Sequence, residues 1–241
     1  MERRFATAMV LFAHPDDAEF TCGATVAAWA AGGCQVHYVI LTDGSAGSNE
    51  PGLTREQIAG VREAEQRAAA SVLGVASVTF LGETDGHLEV TLDTRRKVCR
   101  EVRRLRPEVL LCPDPSRLWH SDGYINHWDH KQAGLLGLTA VMPDAPTRPM
   151  FPELLAEGLE PYEVPNVYLM SPAEPDLFVD VTASFDRKLE ALAAHASQST
   201  ESSIPWIRER AEALAVQAAN GARYAEAFKV FRFVDEEEPE A

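Results

Sequence analysis

The hydrophobic positions along the chain fall into short apolar runs that alternate with longer stretches of helical spacing. The first run is continuously apolar, which is typical of a strand buried on both faces of a sheet, and the second is rich in β-branched and aromatic residues. The short runs cover residues 6–13, 34–41, 77–81 and 109–112. The segments between and after them predict helices over residues 21–31, 54–73, 92–105 and 129–141. This alternation predicts an α/β fold, with a mainly parallel sheet and helices on both faces.

Local signals support several of these helix boundaries. Thr54 and Gln57 stand three positions apart, the pattern of a capping box that starts a helix. Gly32 and Gly33 are suited to end the first helix, and Pro107 is suited to end the third.

The second half of the chain opens with an irregular segment, residues 142–165, which holds many prolines. Further strands are predicted at 167–170, 177–181 and 228–234, and helices at 184–196 and 204–219. There is no internal repeat and no low-complexity linker. We therefore expect one Rossmann-like domain over residues 1–241, with a core at about 5–141 and a variable loop and C-terminal extension at about 142–241.

Composition limits the classes of function. Hydrophobic residues make up 46% of the 241 residues and charged residues 24%, as in ordinary globular proteins. The net charge of −15 repels phosphate backbones and argues against nucleic acid as a partner. No apolar run reaches the ~20 residues of a membrane span, and the start of the chain lacks a signal-peptide pattern. Four cysteines without a CxxC pair indicate buried thiols in a reducing compartment. These features predict a cytoplasmic enzyme.

A first candidate site lies just after the first predicted strand. His14, Asp16 and Asp17 supply a nitrogen ligand, an oxygen ligand and one further carboxylate within four residues. The two adjacent aspartates point in different directions, so we expect one to ligate a metal while the other faces substrate or water. The alternative is that Asp16 or Asp17 caps the following helix.

A second candidate site, residues 127–130, follows the fourth predicted strand. His127 and His130 are three positions apart and share a face if the helix has begun there. Asp129 lies between them and is suited to hold an imidazole in one tautomer. Three aromatic residues nearby either stack on a sugar ring or pack the loop: Trp119, Tyr124 and Trp128.

The two candidate sites are stronger evidence together than either is alone. In a sheet with strand order 3-2-1-4-5, strands one and four are neighbours at the switch point where such folds bind ligands. His14, Asp17 and His130 would then meet at one crevice. Three protein ligands and one open position are the arrangement of a catalytic zinc site. The same ligands also suit iron or manganese.

These motifs resemble the LmbE-like, or PIG-L, family of N-acetylglucosaminylphosphatidylinositol deacetylases. The H-P-D-D pattern at residues 14–17 and the H-x-D-H pattern at residues 127–130 carry the resemblance. Weaker matches span most of the chain, at residues 42–44, 62–65, 81–86, 195–198 and 225–228.

The resemblance implies a zinc-dependent N-deacetylase and a role for each matching residue. His14, Asp17 and His130 match the family's metal ligands, and Asp16 matches its general base. His127 matches the histidine that stabilises the oxyanion or protonates the leaving amine.

Other implications of the resemblance concern the surroundings of the site. Asp129 would support His127, and Arg62 and Asp85 match positions that hold sugar hydroxyls. Relatives also form trimers or hexamers, so a homo-oligomer is expected. Trp128 and the segment 142–165 depart from the family pattern, and both are expected at the mouth of the site.

The expected substrate is a small N-acetylated sugar, an N-acetylglucosamine or one of its conjugates. Inositol, malate, a chitin fragment or an antibiotic precursor remain open as the conjugated part. Alternatives are a metal-dependent amidase acting on a thiol–sugar conjugate, a metallo-phosphoesterase, and a non-catalytic metal- or sugar-binding module. A phosphoesterase usually needs two metals and more ligands than the motifs offer. A binding module would not need Asp16.

Overall fold

The apolar runs of the sequence form the strands of one central sheet. The computed structural model describes residues 4–121, 123–198 and 203–233. Within these ranges the strands are β1 (Thr7–Phe12), β2 (Gln35–Thr42), β3 (Ser77–Glu83), β4 (Val109–Pro113), β5 (Trp119–Ser121), β6 (Tyr124–Ile125), β7 (Asn166–Met170), β8 (Leu177–Asp180) and β9 (Ala225–Arg232).

Helices follow most of the strands. They are α1 (Asp17–Ala31), α2 (Arg55–Leu73), α3 (Leu92–Leu105), α4 (Trp128–Thr139), α5 (Pro152–Ala156), α6 (Phe185–Ala193) and α7 (Ser203–Ala218). A π-helical turn, Ala140–Asp144, follows α4. The capping box predicted at the start of α2 is confirmed, because the side chains of Thr54 and Gln57 each accept a hydrogen bond from the other's backbone N–H.

The large sheet has the strand order β3-β2-β1-β4-β7-β9-β8. Strands β3, β2, β1, β4 and β7 are parallel, whereas β9 runs antiparallel to both β7 and β8. The neighbourhood of β1 and β4 is therefore as the sequence predicted. The predicted C-terminal extension supplies β7, β8 and β9, so it completes the same sheet.

Two hydrophobic layers cover the sheet. Side chains alternate along β1, so that Val10 and Phe12 face one layer while Met9 and Leu11 face the other. Residues of α1, α2, α6 and α7 bury the first layer, and residues of α3 and α4 bury the second. The prediction of helices on both faces is thus confirmed.

The proline-rich segment 142–165 has a defined structure that the sequence pattern did not predict. It contains the end of the π-helical turn and the short helix α5. The buried side chain of Arg103, on α3, donates hydrogen bonds to four carbonyl groups at its start. These carbonyls belong to Asp144, Ala145, Thr147 and Met150.

Two predictions made from composition can be compared with the described residues. All four cysteines, Cys22, Cys34, Cys99 and Cys112, are buried free thiols, as predicted. Across the described ranges, no helix combines the length and the apolar character needed to span a bilayer.

Candidate active site

The loop from β1 to α1 presents the first motif. Asp16 stands just before α1 in a left-handed conformation, with φ 93°, which is uncommon for a residue other than glycine. Its side chain makes no capping hydrogen bond. Asp17 Oδ2 accepts hydrogen bonds from the N–H groups of Ala13 and His14, at 3.2 and 2.9 Å. Neither aspartate caps the helix, which leaves both carboxylates available to the site.

Helix α1 begins earlier than the sequence indicated. We predicted its start at residue 21, but it begins at Asp17. The carboxylates of Asp17 and Glu19 lie in the first turn, where they interact favourably with the helix dipole. Of the first motif, Asp17 therefore belongs to the helix, whereas His14 and Asp16 lie before it.

The segment between β4 and α4 presents the second motif. We predicted one long loop here, and the structure instead forms the small antiparallel hairpin of β5 and β6. His127 precedes α4, and its Nδ1 accepts the N–H of Asp129 at 3.2 Å. His130 lies in the first turn of the helix. His127 and His130 thus do not share a helical face, although their rings lie 5.5 Å apart.

Three side chains from the two motifs converge at the ends of β1 and β4. His14 Nδ1 lies 3.3 Å from His130 Nε2, and His130 Nε2 lies 2.9 Å from Asp17 Oδ1. His14 Nδ1 lies 3.6 Å from Asp17 Oδ2. Tetrahedral ligands with bonds of about 2.0–2.1 Å are separated by roughly 3.4 Å. The spacing of these three groups therefore suits one small divalent cation.

The hydrogen-bond partners of the two imidazoles also favour a metal site. His130 Nδ1 lies 2.9 Å from Asn126 Oδ1, and Asn126 Nδ2 donates to the carbonyl of Arg117 at 2.8 Å. His14 Nε2 lies within 3.2 Å of carboxylates of Asp129 and Asp85. In the neutral rings that a bound cation would require, protons on these outer nitrogens leave the lone pairs of His14 Nδ1 and His130 Nε2 facing each other. A cation between them satisfies both lone pairs, so the donor set fits a metal.

The carboxylates of the site differ in acidity. Burial and the neighbouring Asp17 raise the pKa of Asp16 to about 7, against the opposing charge of Arg62. Burial also tends to raise the pKa of Asp17, but His130 and His14 hold it well below its usual value. The two adjacent aspartates are thus suited to different roles, one as a base and one as a permanent anion.

Helix α2 provides the support for Asp16. The Arg62 guanidinium lies 3.2 Å from Asp16 Oδ2 and donates to the carbonyls of Pro15 and Gly44, at 2.6 and 2.9 Å. Gln66, one turn further along α2, accepts the N–H of Asp16 at 2.8 Å. Both side chains are buried, so α2 fixes the strained loop from behind.

Asp85 and Asp129 both contact His14. The Asp85 carboxylate also accepts the N–H of Ala46 at 3.0 Å and lies 3.7 Å from Arg62 Nη1. The Asp129 carboxylate accepts the N–H groups of Gly86 and Leu88, at 2.7 and 3.3 Å. Because two backbone donors hold it against His14, Asp129 is placed to fix the tautomer of His14.

The relation of Asp129 to His127 differs from expectation. We expected the Asp129 carboxylate to support His127, but it is its backbone N–H that contacts this ring. Burial and the nearby His14 lower the pKa of His127. The His127 ring therefore favours the neutral form, with its proton on Nε2 because Nδ1 is an acceptor.

A cavity of about 810 Å³ opens over these residues, within the usual range of small-molecule sites. The predicted site residues His14, Asp16, Asp17, Arg62, Asp85, His127 and His130 all line it. Asp129 lies beneath it, fully buried. Of the three aromatic residues near the second motif, Tyr124 is a lining residue.

Two expectations about the mouth of the site are wrong. Among the described residues, neither Trp128 nor any residue of 142–165 lines the cavity. The Trp128 indole donates to the carbonyl of Leu88, and the proline-rich segment is held by Arg103 on α3. The far end of the cavity is instead formed by the β7–β8 loop and α7, with Ser171, Trp206 and Arg210.

Sequence reasoning missed several residues of the site. Gln66 is four positions after Arg62, and this helical spacing was a usable signal. Asn126 directly precedes the second motif in the sequence, and this position was also a usable signal. The contribution of Arg117 and Arg210 depends on the tertiary fold and left no local signal.

Comparison with known proteins agrees with the fold and the motifs. The model of the GlcNAc-PI de-N-acetylase family, PIG-L, matches residues 9–141. The chain belongs to this family. A diacetylchitobiose deacetylase from Thermococcus kodakarensis is 32% identical over 220 residues, which cover 90% of this chain and 79% of the relative.

The likeness to solved structures covers almost the whole chain. N,N'-diacetylchitobiose deacetylase from Pyrococcus horikoshii has a TM-score of 0.87 and 26% identity, covering 95% of this chain and 84% of that one. The 4-carboxy-2-hydroxymuconate hydratase from Pseudomonas putida has a TM-score of 0.80 and 27% identity, covering 97% and 99%. One fold thus carries two reactions, so the reaction must be argued from the site.

Proposed function

We propose that this PIG-L family member is a zinc-dependent N-deacetylase, which hydrolyses the acetamido group of an N-acetylglucosamine or its conjugate to acetate and a free amine. The observation that carries the proposal is the convergence of His14, Asp17 and His130, with the carboxylate of Asp16 beside them outside this ligand set. Three ligands and an open position are typical of hydrolytic zinc sites.

His14 Nδ1, His130 Nε2 and a carboxylate oxygen of Asp17 would hold the cation. When bound, such a cation acidifies a water molecule and polarises the acetyl carbonyl. Nitrogen and carboxylate ligands favour zinc over magnesium or calcium, while Fe²⁺ also suits them.

Asp16 is the proposed general base. Its carboxylate is held beside the ligand set by Gln66 and Arg62. A base with a pKa near 7 is matched to accepting a proton from water at neutral pH. Asp16 would accept that proton as the water oxygen attacks the acetyl carbon.

His127 is the proposed donor to the developing charge. Since its Nδ1 accepts the Asp129 N–H, the neutral ring carries its proton on Nε2, which can donate a hydrogen bond to the acetyl oxygen. His127 is therefore proposed to act as a neutral hydrogen-bond donor. The proton that Asp16 accepts from water would then pass to the leaving nitrogen. Asp129 acts as a positioning residue behind His14.

Arg62 and Asp85 are the proposed contacts to the sugar. Both line the cavity next to Asp16 and His14, and both already hold the loops around them. A sugar hydroxyl at this position would find a donor and an acceptor side by side. The site would therefore select a hydroxylated ring. A ligand without the hydroxyl would leave the buried polar groups of Arg62 and Asp85 without a hydrogen-bond partner.

The test is acetate release from a panel of N-acetylglucosamine conjugates. It is measured on the enzyme as purified, after chelation, and after adding back Zn²⁺ or Fe²⁺. Release that disappears with the chelator and returns with zinc supports the proposal. Recovery with Fe²⁺ alone contradicts the choice of metal and leaves the reaction intact.

An absence of acetate from every member of the metal-loaded panel contradicts the deacetylase. The same samples are then tested on amide-linked thiol–sugar conjugates, which addresses the amidase alternative. They are also tested for hydration of the unsaturated carboxylate used by the Pseudomonas putida structural neighbour.

A further inference from the structure

Two arginines are held side by side at the far end of the cavity. Arg210 Nη2, on α7, donates to Ser171 Oγ at 2.8 Å. Arg117 Nη1, from the loop after β4, donates to the carbonyl of the next residue, Pro172, at 2.9 Å. Consecutive residues of the β7–β8 loop thus anchor both guanidinium groups, and both line the cavity.

The anchor itself shows signs of a constrained site. Ser171 adopts a left-handed conformation, with φ 48°, directly after β7. Such a conformation is costly for a non-glycine residue and is concentrated at functional sites. The guanidinium of Arg210 also lies 5.8 Å from the centre of the Trp206 ring, which restricts it from another side. Arg210 is therefore oriented by contacts from two directions.

The charge at this end of the cavity is unusual for a chain with a net charge of −15. Within the part of the chain that the structure describes, Arg210 forms no ion pair. Among the described carboxylates nearby, Asp114 accepts the N–H of Ala173, and Glu226 pairs with Lys188 at 2.6 Å. Burial and the neighbouring Arg117, against Glu226, lower the pKa of Arg210.

We propose that Arg210 and Arg117 form a subsite for an anionic group, a carboxylate or a phosphate, on the part of the substrate attached to the N-acetylglucosamine. Guanidinium groups bind such anions through paired, charge-assisted hydrogen bonds. This inference rests on the proposed deacetylase function and narrows its substrate class. The sugar would lie over Arg62 and Asp85, with the anionic group directed toward α7.

The experiment compares two conjugates of similar size, N-acetylglucosamine linked to malate and N-acetylglucosamine linked to inositol. The wild-type enzyme should show a higher kcat/KM for the malate conjugate. In Arg210→Gln the ratio of the two kcat/KM values should fall by roughly tenfold or more, through KM, because a charged hydrogen bond is lost. Arg210→Lys keeps the charge and should retain part of the preference.

Arg208→Gln is the matched control, because it removes one positive charge from the same helix. Arg208 donates to the Tyr224 hydroxyl and does not line the cavity. It should leave the ratio unchanged. An unchanged ratio in Arg210→Gln overturns the subsite, as does a wild-type preference for the inositol conjugate. A third conjugate that carries phosphate distinguishes the two anions.

Calorimetric binding separates this inference from the deacetylase proposal. The two conjugates are titrated into the Asp16→Ala protein, with and without Arg210→Gln. If the wild-type enzyme releases acetate from neither conjugate, the deacetylase proposal fails. The subsite is still supported if the Asp16→Ala protein binds the malate conjugate more tightly than the inositol conjugate and if Arg210→Gln abolishes this difference. Equal binding of both conjugates overturns it.

Discussion

The side-chain oxygen of Gln66 accepts the backbone N–H of Asp16 at 2.8 Å, and this bond holds a residue whose φ is 93°. The other end of the Gln66 amide donates to Glu19 Oε1 at 3.0 Å. Gln66 is fully buried, so its amide can serve both partners in one orientation only. It therefore acts as a positioning residue that sets the direction of the Asp16 carboxylate.

Gln66→Leu should lower kcat by about 10- to 100-fold while zinc content stays near that of the wild type. The substitution removes the acceptor for the Asp16 N–H, and a shift of a general base by about 1 Å has effects of this size. Acetate release and metal analysis on the same sample provide the measurement. Gln35→Leu, an exposed change on β2, is the control and should leave kcat unaltered. Loss of zinc in parallel with kcat would show that Gln66 supports the metal site instead.

Asp16→Ala should retain the metal and lose turnover. The ligand set of His14, Asp17 and His130 does not include this carboxylate, whereas the proposed proton transfer depends on it. Removal of a general base costs about 10²–10⁴-fold in rate. Metal analysis and acetate release are measured together, and Asp17→Asn is the comparison that should lose metal as well. Wild-type turnover in Asp16→Ala would remove this residue from the mechanism.

The parts of the fold that the sequence predicted are those fixed by local pattern. The apolar runs placed β1 to β4, and the capping box at Thr54 placed the start of α2, because both depend on neighbouring residues alone. The meeting of His14 and His130 also followed from sequence, since parallel strands place their carboxyl ends at one edge.

The remaining features depend on contacts between distant segments. The two-strand hairpin before α4 is short, and its few residues carry no clear alternation. The far wall of the cavity brings Arg117 together with Arg210 through carbonyl and hydroxyl groups of the β7–β8 loop. The order of the proline-rich segment depends on one buried arginine of another helix. None of these contacts has a signature within a single stretch of sequence.

Asn126→Ala should weaken zinc binding by about 10- to 100-fold, the usual effect of losing the hydrogen-bond partner of a ligating histidine. Asn126 Oδ1 lies 2.9 Å from His130 Nδ1 and keeps the proton on that nitrogen. The zinc Kd is measured by competition with a chelating dye. Asn126→Asp retains an acceptor and should bind zinc almost as well as the wild type, while the exposed Asn49→Ala is the neutral control. Equal affinities for Asn126→Ala and the wild type would contradict the assigned tautomer.

Arg103→Met should destabilise the fold by about 3 kcal/mol or more without changing acetate release per folded molecule. Arg103 is 2% exposed and donates to four carbonyls of the segment that follows α4. Methionine fills the space but leaves these carbonyls without their donor. Urea unfolding monitored by circular dichroism gives the free energy, and kinetics at low temperature give the activity.

Arg187→Met is the control for that experiment. Arg187 is on α6, where its side chain is 59% exposed and pairs with Glu190, which is 56% exposed. An exposed pair of this kind contributes at most about 1 kcal/mol, so the control should unfold close to the wild type. A fall in kcat for Arg103→Met at temperatures where it is fully folded would mean that the segment 142–165 does influence the site. Because that segment does not line the cavity, we expect stability and kcat to separate.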